Sequence, residues 1–146
     1  MAGELITGDW QLEYRGLLTG GDAVIAFVGC EGLVDMPAVR SADQILLHRH
    51  GAHPGADFTD SRAVVLTYEL ATANAADLAH HVEDLQRAYR PGGDEEPLVF
   101  KIPGVAGGEK ARLYCRPRRR EMPIGMAWYH RIPVATIELV ASDPLL

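Results

Sequence analysis

Three sets of residues have the types and spacing that could do chemistry. His48, His50 and His53, followed by Asp57, offer imidazole and carboxylate ligands of the kind that bind zinc or a similar ion, and residues 48 and 50 would share one face of an extended strand. No H-E-x-x-H accompanies them, and histidines in a segment carrying Gly and Pro are more often surface groups, so no functional metal is expected there. Gly104-Val105-Ala106-Gly107-Gly108-Glu109-Lys110 has the outline of a phosphate loop. The match fails at Glu109, which puts a negative charge beside the lysine, and at Ala111, where Ser or Thr is needed; the segment reads as a glycine-rich hairpin turn. Arg116-Pro117-Arg118-Arg119-Arg120 is the strongest charge feature. Phosphate binding is its sharp reading, but no aromatic residue interleaves within the run, so a solvated strand end or a contact with acids of a neighbouring subunit is favoured.

Nucleophiles are scarce. Ser41, Ser61 and Ser142 are the only serines and none lies in a G-x-S-x-G elbow. Cys30 and Cys115 form no C-x-x-C pair and read as buried thiols. His80 and His81 are neighbours in a helical segment and point in different directions. No catalytic constellation and no cofactor is expected, and the chain is read as a non-enzyme. A small β-barrel binding module or a metal-dependent enzyme using the histidine loop is the alternative.

The elements that would carry these residues follow from periodicity. Trp10, Leu12 and Tyr14 alternate with polar neighbours as in a half-buried strand. Ala23 to Val28 is a nearly continuous apolar run that suggests a strand buried on both faces. After a short apolar piece, Ile45 to Leu47, the stretch His48 to Arg62 reads as a long polar loop. Arg62 to Ala71 alternates over its whole length. Between Asn74 and Arg90 the period changes: Leu78, Val82, Leu85 and Tyr89 form one helical stripe, Asn74 caps the start with Asp77 three residues on, and Pro91-Gly92-Gly93 stop it. Strands are then expected at Leu98 to Ile102, from Ala111 toward Arg120, and from Tyr129 to Ala141, with Pro133 at an edge or bulge. The fold class is α+β: a mostly antiparallel β-sandwich or split barrel of about six or seven strands with one flanking helix.

At 146 residues the chain fits one domain, residues 1–146, large enough to fold without a disulfide or metal staple. The formal charge of −6 argues against a protein that coats nucleic acid. The basic residues are lopsided, with Lys101 and Lys110 the only lysines beside twelve arginines. The segment Met1 to Asp9 lacks a basic head followed by an apolar core, so no signal peptide is expected, and no apolar span is long enough to cross a membrane.

Several of these features together resemble the N-terminal domain of phage distal tail proteins. They are the strand at Asp9 and Trp10, the segment Gly32-Leu33-Val34-Asp35-Met36-Pro37-Ala38-Val39-Arg40-Ser41, and His50-Gly51. Gly55 to Asp57, Asp60 and Arg62 follow, leading into Ala63 to Leu70, then the helix Asn74 to Arg90, the arginine run and the closing Ala141-Ser142-Asp143-Pro144. Members of that family run on into a tyrosine-bearing connector and a second β-domain, so the resemblance is to the first domain alone. It implies a tail-tube-like fold and a hexameric ring at the virion tail tip, made in the host cytoplasm. The implied partners are further copies of the chain, a tail tube protein, a baseplate hub or tail-associated protein and the tape measure protein, with DNA only in transit through the lumen. His50, Asp57, Arg62, Gly104, Arg118 and Arg119 are the candidate subunit-interface residues that follow.

Overall fold

The structure, a computed structural model, describes residues 1–145. In chain order its strands are β1 (Gln11–Tyr14), β2 (Leu17–Gly20), β3 (Ile25–Glu31), β4 (Val39–Ser41), β5 (Gln44–Ile45), β6 (Ala52–His53), β7 (Asp57–Thr59) and β8 (Arg62–Leu70). Helix α1 (Ala75–Ala88) comes next, then β9 (Glu96–Lys101), β10 (Ala111–Glu121), the short helix α2 (Met126–Tyr129) and β11 (Val134–Ala141).

Seven strands make one antiparallel sheet in the order β2-β1-β9-β10-β11-β8-β3. The sheet folds over on β10, whose first half (Ala111 to Cys115) pairs with β9 and whose second half (Arg116 to Glu121) pairs with β11, with a register shift between Pro117 and Arg119. A bulge at that point bends the strand and lets it serve two half-sheets. The end strands β2 and β3 approach at the corner where Ala23 N donates to Gly20 O (3.0 Å), but they form no ladder with each other. The result is a split barrel, the architecture expected from the strand count and the single long helix.

The core lies between the half-sheets and α1. Alternation is cleanest on β8, where Val64, Leu66, Tyr68 and Leu70 are buried, and on β11, where Ala135, Ile137, Leu139 and Ala141 are buried. Helix α1 adds Leu78, Val82, Leu85 and Ala88, and Tyr89 follows at its C-cap. Each such large apolar burial is worth roughly 1.5–3 kcal/mol. The Asn74 side chain accepts from Asp77 N (2.8 Å) and donates to the Asp77 carboxylate (2.8 Å), closing the expected cap. At the other end, Arg15 Nη1 donates to Ala88 O (3.3 Å) and Arg90 O (3.1 Å), and Arg120 Nη1 to Gln86 O (3.1 Å) and Tyr89 O (3.2 Å). Two guanidinium groups thus occupy the negative end of the helix dipole.

The outer faces of the two half-sheets differ. Residues 1–10 cross the outside of β1 and β9, burying Ile6 and Val99. The amides of Thr7 and Gly8 donate to the Gln11 side-chain oxygen (2.8 Å each) and Leu5 N donates to the Glu13 carboxylate (3.0 Å). The outside of β8 and β11 is covered by no element among the described residues; Val65, Thr67, Glu69, Thr136 and Glu138 there are half-buried, with Arg119 and Glu121 of β10 beside them.

Four expectations are corrected. Trp10 does not join Leu12 and Tyr14 on the inner face: its backbone is left-handed (φ 61°), the strand starts one residue later, and the indole is half exposed. Strand β2 has no counterpart among the expected elements, because four residues, Leu17–Gly20, are too few to display a period of two. β3 is buried on one face only, with Ala26 and Val28 exposed. The last strand begins at Val134, since Met126 to Tyr129 wind into α2 and Pro133 lies outside the ladder.

Candidate assembly surfaces

The largest departure from expectation is the segment between β3 and β8. It is an arm: β4 pairs with β7 and β5 with β6, both antiparallel, so residues 39–59 double back as a two-stranded ribbon standing off the sheet. Asp60 N to Ala38 O (2.7 Å) and Ala42 N to Ala56 O (3.2 Å) extend the pairing. All four strands are exposed, and Val34, Met36, Ile45, Leu47 and Phe58 stand in solvent. A two-stranded ribbon with no core of its own is marginal in water, and exposed apolar residues in such number mark a contact surface.

The arm's root, by contrast, is tightly built. Gly32 has φ 83°, and a Cβ there would lie 2.0 Å from Ala63 O, so only glycine fits. Its amide donates to the Asp35 carboxylate (2.7 Å), and Leu33 is buried. Arg62, the first residue of β8, is turned inward and only 9% exposed. Its Nη1 donates to Gly32 O, Leu33 O and Asp35 O and its Nε to Pro144 O, all at 2.8 Å. Arg62, expected as a subunit-contact residue, thus directs its Nε and Nη1 donors to carbonyls of its own chain. Nothing local in the sequence signals this, since every acceptor is a backbone carbonyl 27 to 82 residues away.

His50 and Asp57 are exposed on the arm. His53 pairs with Gln44 in one strand pair and Asp57 with Ser41 in the other, while His48 and His50 flank the tip, so the four candidate ligands do not converge. Among the described residues no three His, Cys, Asp or Glu side chains are placed to hold a metal ion. Gly104 is exposed in the β9–β10 turn, where Lys110 Nζ donates to Gly3 O (2.9 Å).

The arginine run divides by face. Arg120 turns toward α1 and Arg119 pairs with Glu121, while Arg112, Arg116 and Arg118 are exposed on the outer side of β10. Tyr114 stands exposed on that same row, an aromatic neighbour lying just upstream of the run. A second apolar surface lies at the opposite end of β8 and β11 from the arm, where the β10–β11 connector exposes Ile124, Met126 and Tyr129.

An open groove of about 620 Å³ lies between the end of α1 and the β1–β2 turn. Its charges are largely spent on one another, in Arg15–Glu96 (3.0 Å) and Arg87–Asp84 (3.2 Å). Both cysteines are free thiols. Burial first, then the nearby Asp35 carboxylate, pushes Cys30 up to about 11; burial first, then Glu95, pushes Cys115 up to about 12. Neither is activated as a nucleophile at neutral pH.

No protein-family model and no curated protein matches the chain in sequence. Among solved structures it superposes on the SPP1 Dit (gp 19.1) protein, described as a paradigm of the hub adsorption apparatus in phages infecting Gram-positive bacteria, with a TM-score of 0.66 at 11% identity. The superposition takes in 92% of this chain and 50% of the other, so the chain spans about half the length of that protein. At this identity what the two share is the fold.

Proposed function

We propose that this chain is a structural component of a phage tail tip, which assembles as a hexameric ring joining the tail tube to the baseplate hub around a lumen for the tape measure protein and DNA. The observation that carries the reading is the split-barrel fold shared with a hub adsorption protein, in a chain that leaves its edges and arm unpartnered. β3 has a ladder on one side only, and so does the second half of β10. Closing a ring pairs or covers such edges, with backbone hydrogen bonds setting register and side chains setting partner choice. The exposed apolar residues of the arm and of the β10–β11 connector lie at opposite ends of β8 and β11, as a head-to-tail contact between copies requires. His50 and Asp57 on the arm, Gly104 in the β9–β10 turn, and Arg118 and Arg119 on β10 are the contact residues this reading assigns. The bare outer face of β8 and β11, with small, neutral or acidic side chains, is the surface that suits a lumen through which DNA slides without sticking.

Sedimentation velocity and negative-stain imaging over a range of concentrations test this. The expected result is closed particles of six chains with a central opening. A chain that stays monomeric and also fails to add to the ends of isolated tail tubes would overturn it. A melting temperature that climbs with added zinc, without assembly, would favour the metal-binding alternative.

A further inference from the structure

Three stretches far apart in sequence, Gly32 to Asp35, Arg62 and Asp143-Pro144, meet at one guanidinium. A buried arginine normally faces a carboxylate. Here no carboxylate pairs with it among the described residues, and the four acceptors are main-chain carbonyls. Three of them belong to the root from which the arm departs, and the fourth to the segment that leaves β11. Carbonyl oxygens crowded together repel unless a cation sits among them, and the planar, permanently charged fork of arginine supplies donors in fixed directions that lysine lacks. Beyond Asp35 no comparable anchor is seen among the described residues: the arm has its own strand pairs, the Gly55 amide on Asp43 and the Arg40–Asp60 ion pair.

We propose that Arg62 is a positioning residue that locks the direction of the arm to the position of residues 143–144, so that displacement of the chain after β11 is relayed to the arm. The guanidinium is the shared member of both contacts, and among the described residues the two segments make no hydrogen bond to each other except through it. The arm's role as a subunit contact rests on the reading above; the lock itself does not, because it acts within one chain.

Hydrogen exchange of backbone amides, measured on dilute protein before assembly, tests the lock separately from ring formation. Arg62→Lys keeps the charge but not the fork. Amides of the arm, Ala42 and Asp60 among them, should exchange about tenfold faster, while those in the β8–β11 ladder stay within about twofold. Removing residues 144–146 from the full chain should speed the same arm amides, although no arm residue has been changed. Unchanged arm exchange in Arg62→Lys would overturn the proposal, as would an equal rise throughout the sheet. Arm exchange that responds to Arg62→Lys but not to the removal of residues 144–146 would overturn the relay. Should Arg62→Lys fail to fold, the shortened chain decides alone: accelerated arm exchange supports the lock and unaltered exchange refutes it.

Discussion

Tyr68 and Tyr89 share a hydroxyl–hydroxyl hydrogen bond of 2.8 Å in the centre of the core, where both side chains are fully buried. Replacing Tyr68 by Phe removes the Tyr89 hydroxyl's one hydrogen-bond partner among the described residues and leaves it buried in apolar surroundings, at a cost of about 1–3 kcal/mol. Tyr89→Phe orphans the Tyr68 hydroxyl in turn, at a similar cost of about 1–3 kcal/mol, while the ring at 89 keeps its stack on Tyr14, 5.0 Å between centroids. The double substitution leaves no orphan on residue 89 and should cost little more than the larger single change, a coupling of about 1 kcal/mol. Urea titration of the four proteins measures this, with m unchanged across the set, and each kcal/mol should move the melting temperature by roughly 3 °C. Losses that add to within a few tenths of a kcal/mol would mean that the hydroxyls are not paired, and would refute the core geometry from which the helix position is argued.

Alkaline pH should unfold the protein. Burial first, followed by neighbouring negative charge, raises Tyr14, and burial raises Cys30 to about 11 and Cys115 to about 12, against ordinary values of 9.0 for the thiols and 10.0 for tyrosine. The unfolded chain therefore releases these protons first, so stability present below pH 9 falls as pH rises, by about 1.4 kcal/mol per pH unit for each group still protonated only in the native state. Urea midpoints that do not fall between pH 9 and 11 would contradict it. Leu85→Asp, on the buried stripe of α1, should cost several kcal/mol by circular-dichroism melts, whereas Glu83→Ala on the exposed side should be nearly silent; equal effects would mean the helix presents another face.

Elements with a local cause were legible in the sequence. Helix α1 could be read to within two residues at each end, since its stripe, its Asn74 cap and its Pro-Gly-Gly stop all act within a few residues of one another. β8 and β11 were legible because one face of each is core. The arm was not: both of its strands lie in solvent, so burial imposes no period of two, and its pairing comes from residues up to 20 positions apart, Val39 with Thr59. The histidines drew attention for the same reason, since a polar stretch without a pattern displays its side chains and hides its backbone. Arg62 was visible only as a charge before a strand; that its partners are carbonyls is a property of the folded chain. The absence of a nucleophile elbow or phosphate loop could be read directly, because those motifs depend on adjacent residues.

The covering of β1 and β9 by the first ten residues also governs how this protein can be handled. Glu13 is 5% exposed and has the Leu5 amide as its hydrogen-bond donor, and Gln11 holds Thr7 and Gly8. Peeling the amino terminus away would take the Glu13 carboxylate and the Gln11 amide oxygen from their backbone donors and bare Val99 to water. A tag fused ahead of Met1 starts from the exposed end of that flap, whereas the naked side of β8 and β11 has no such cover among the described residues.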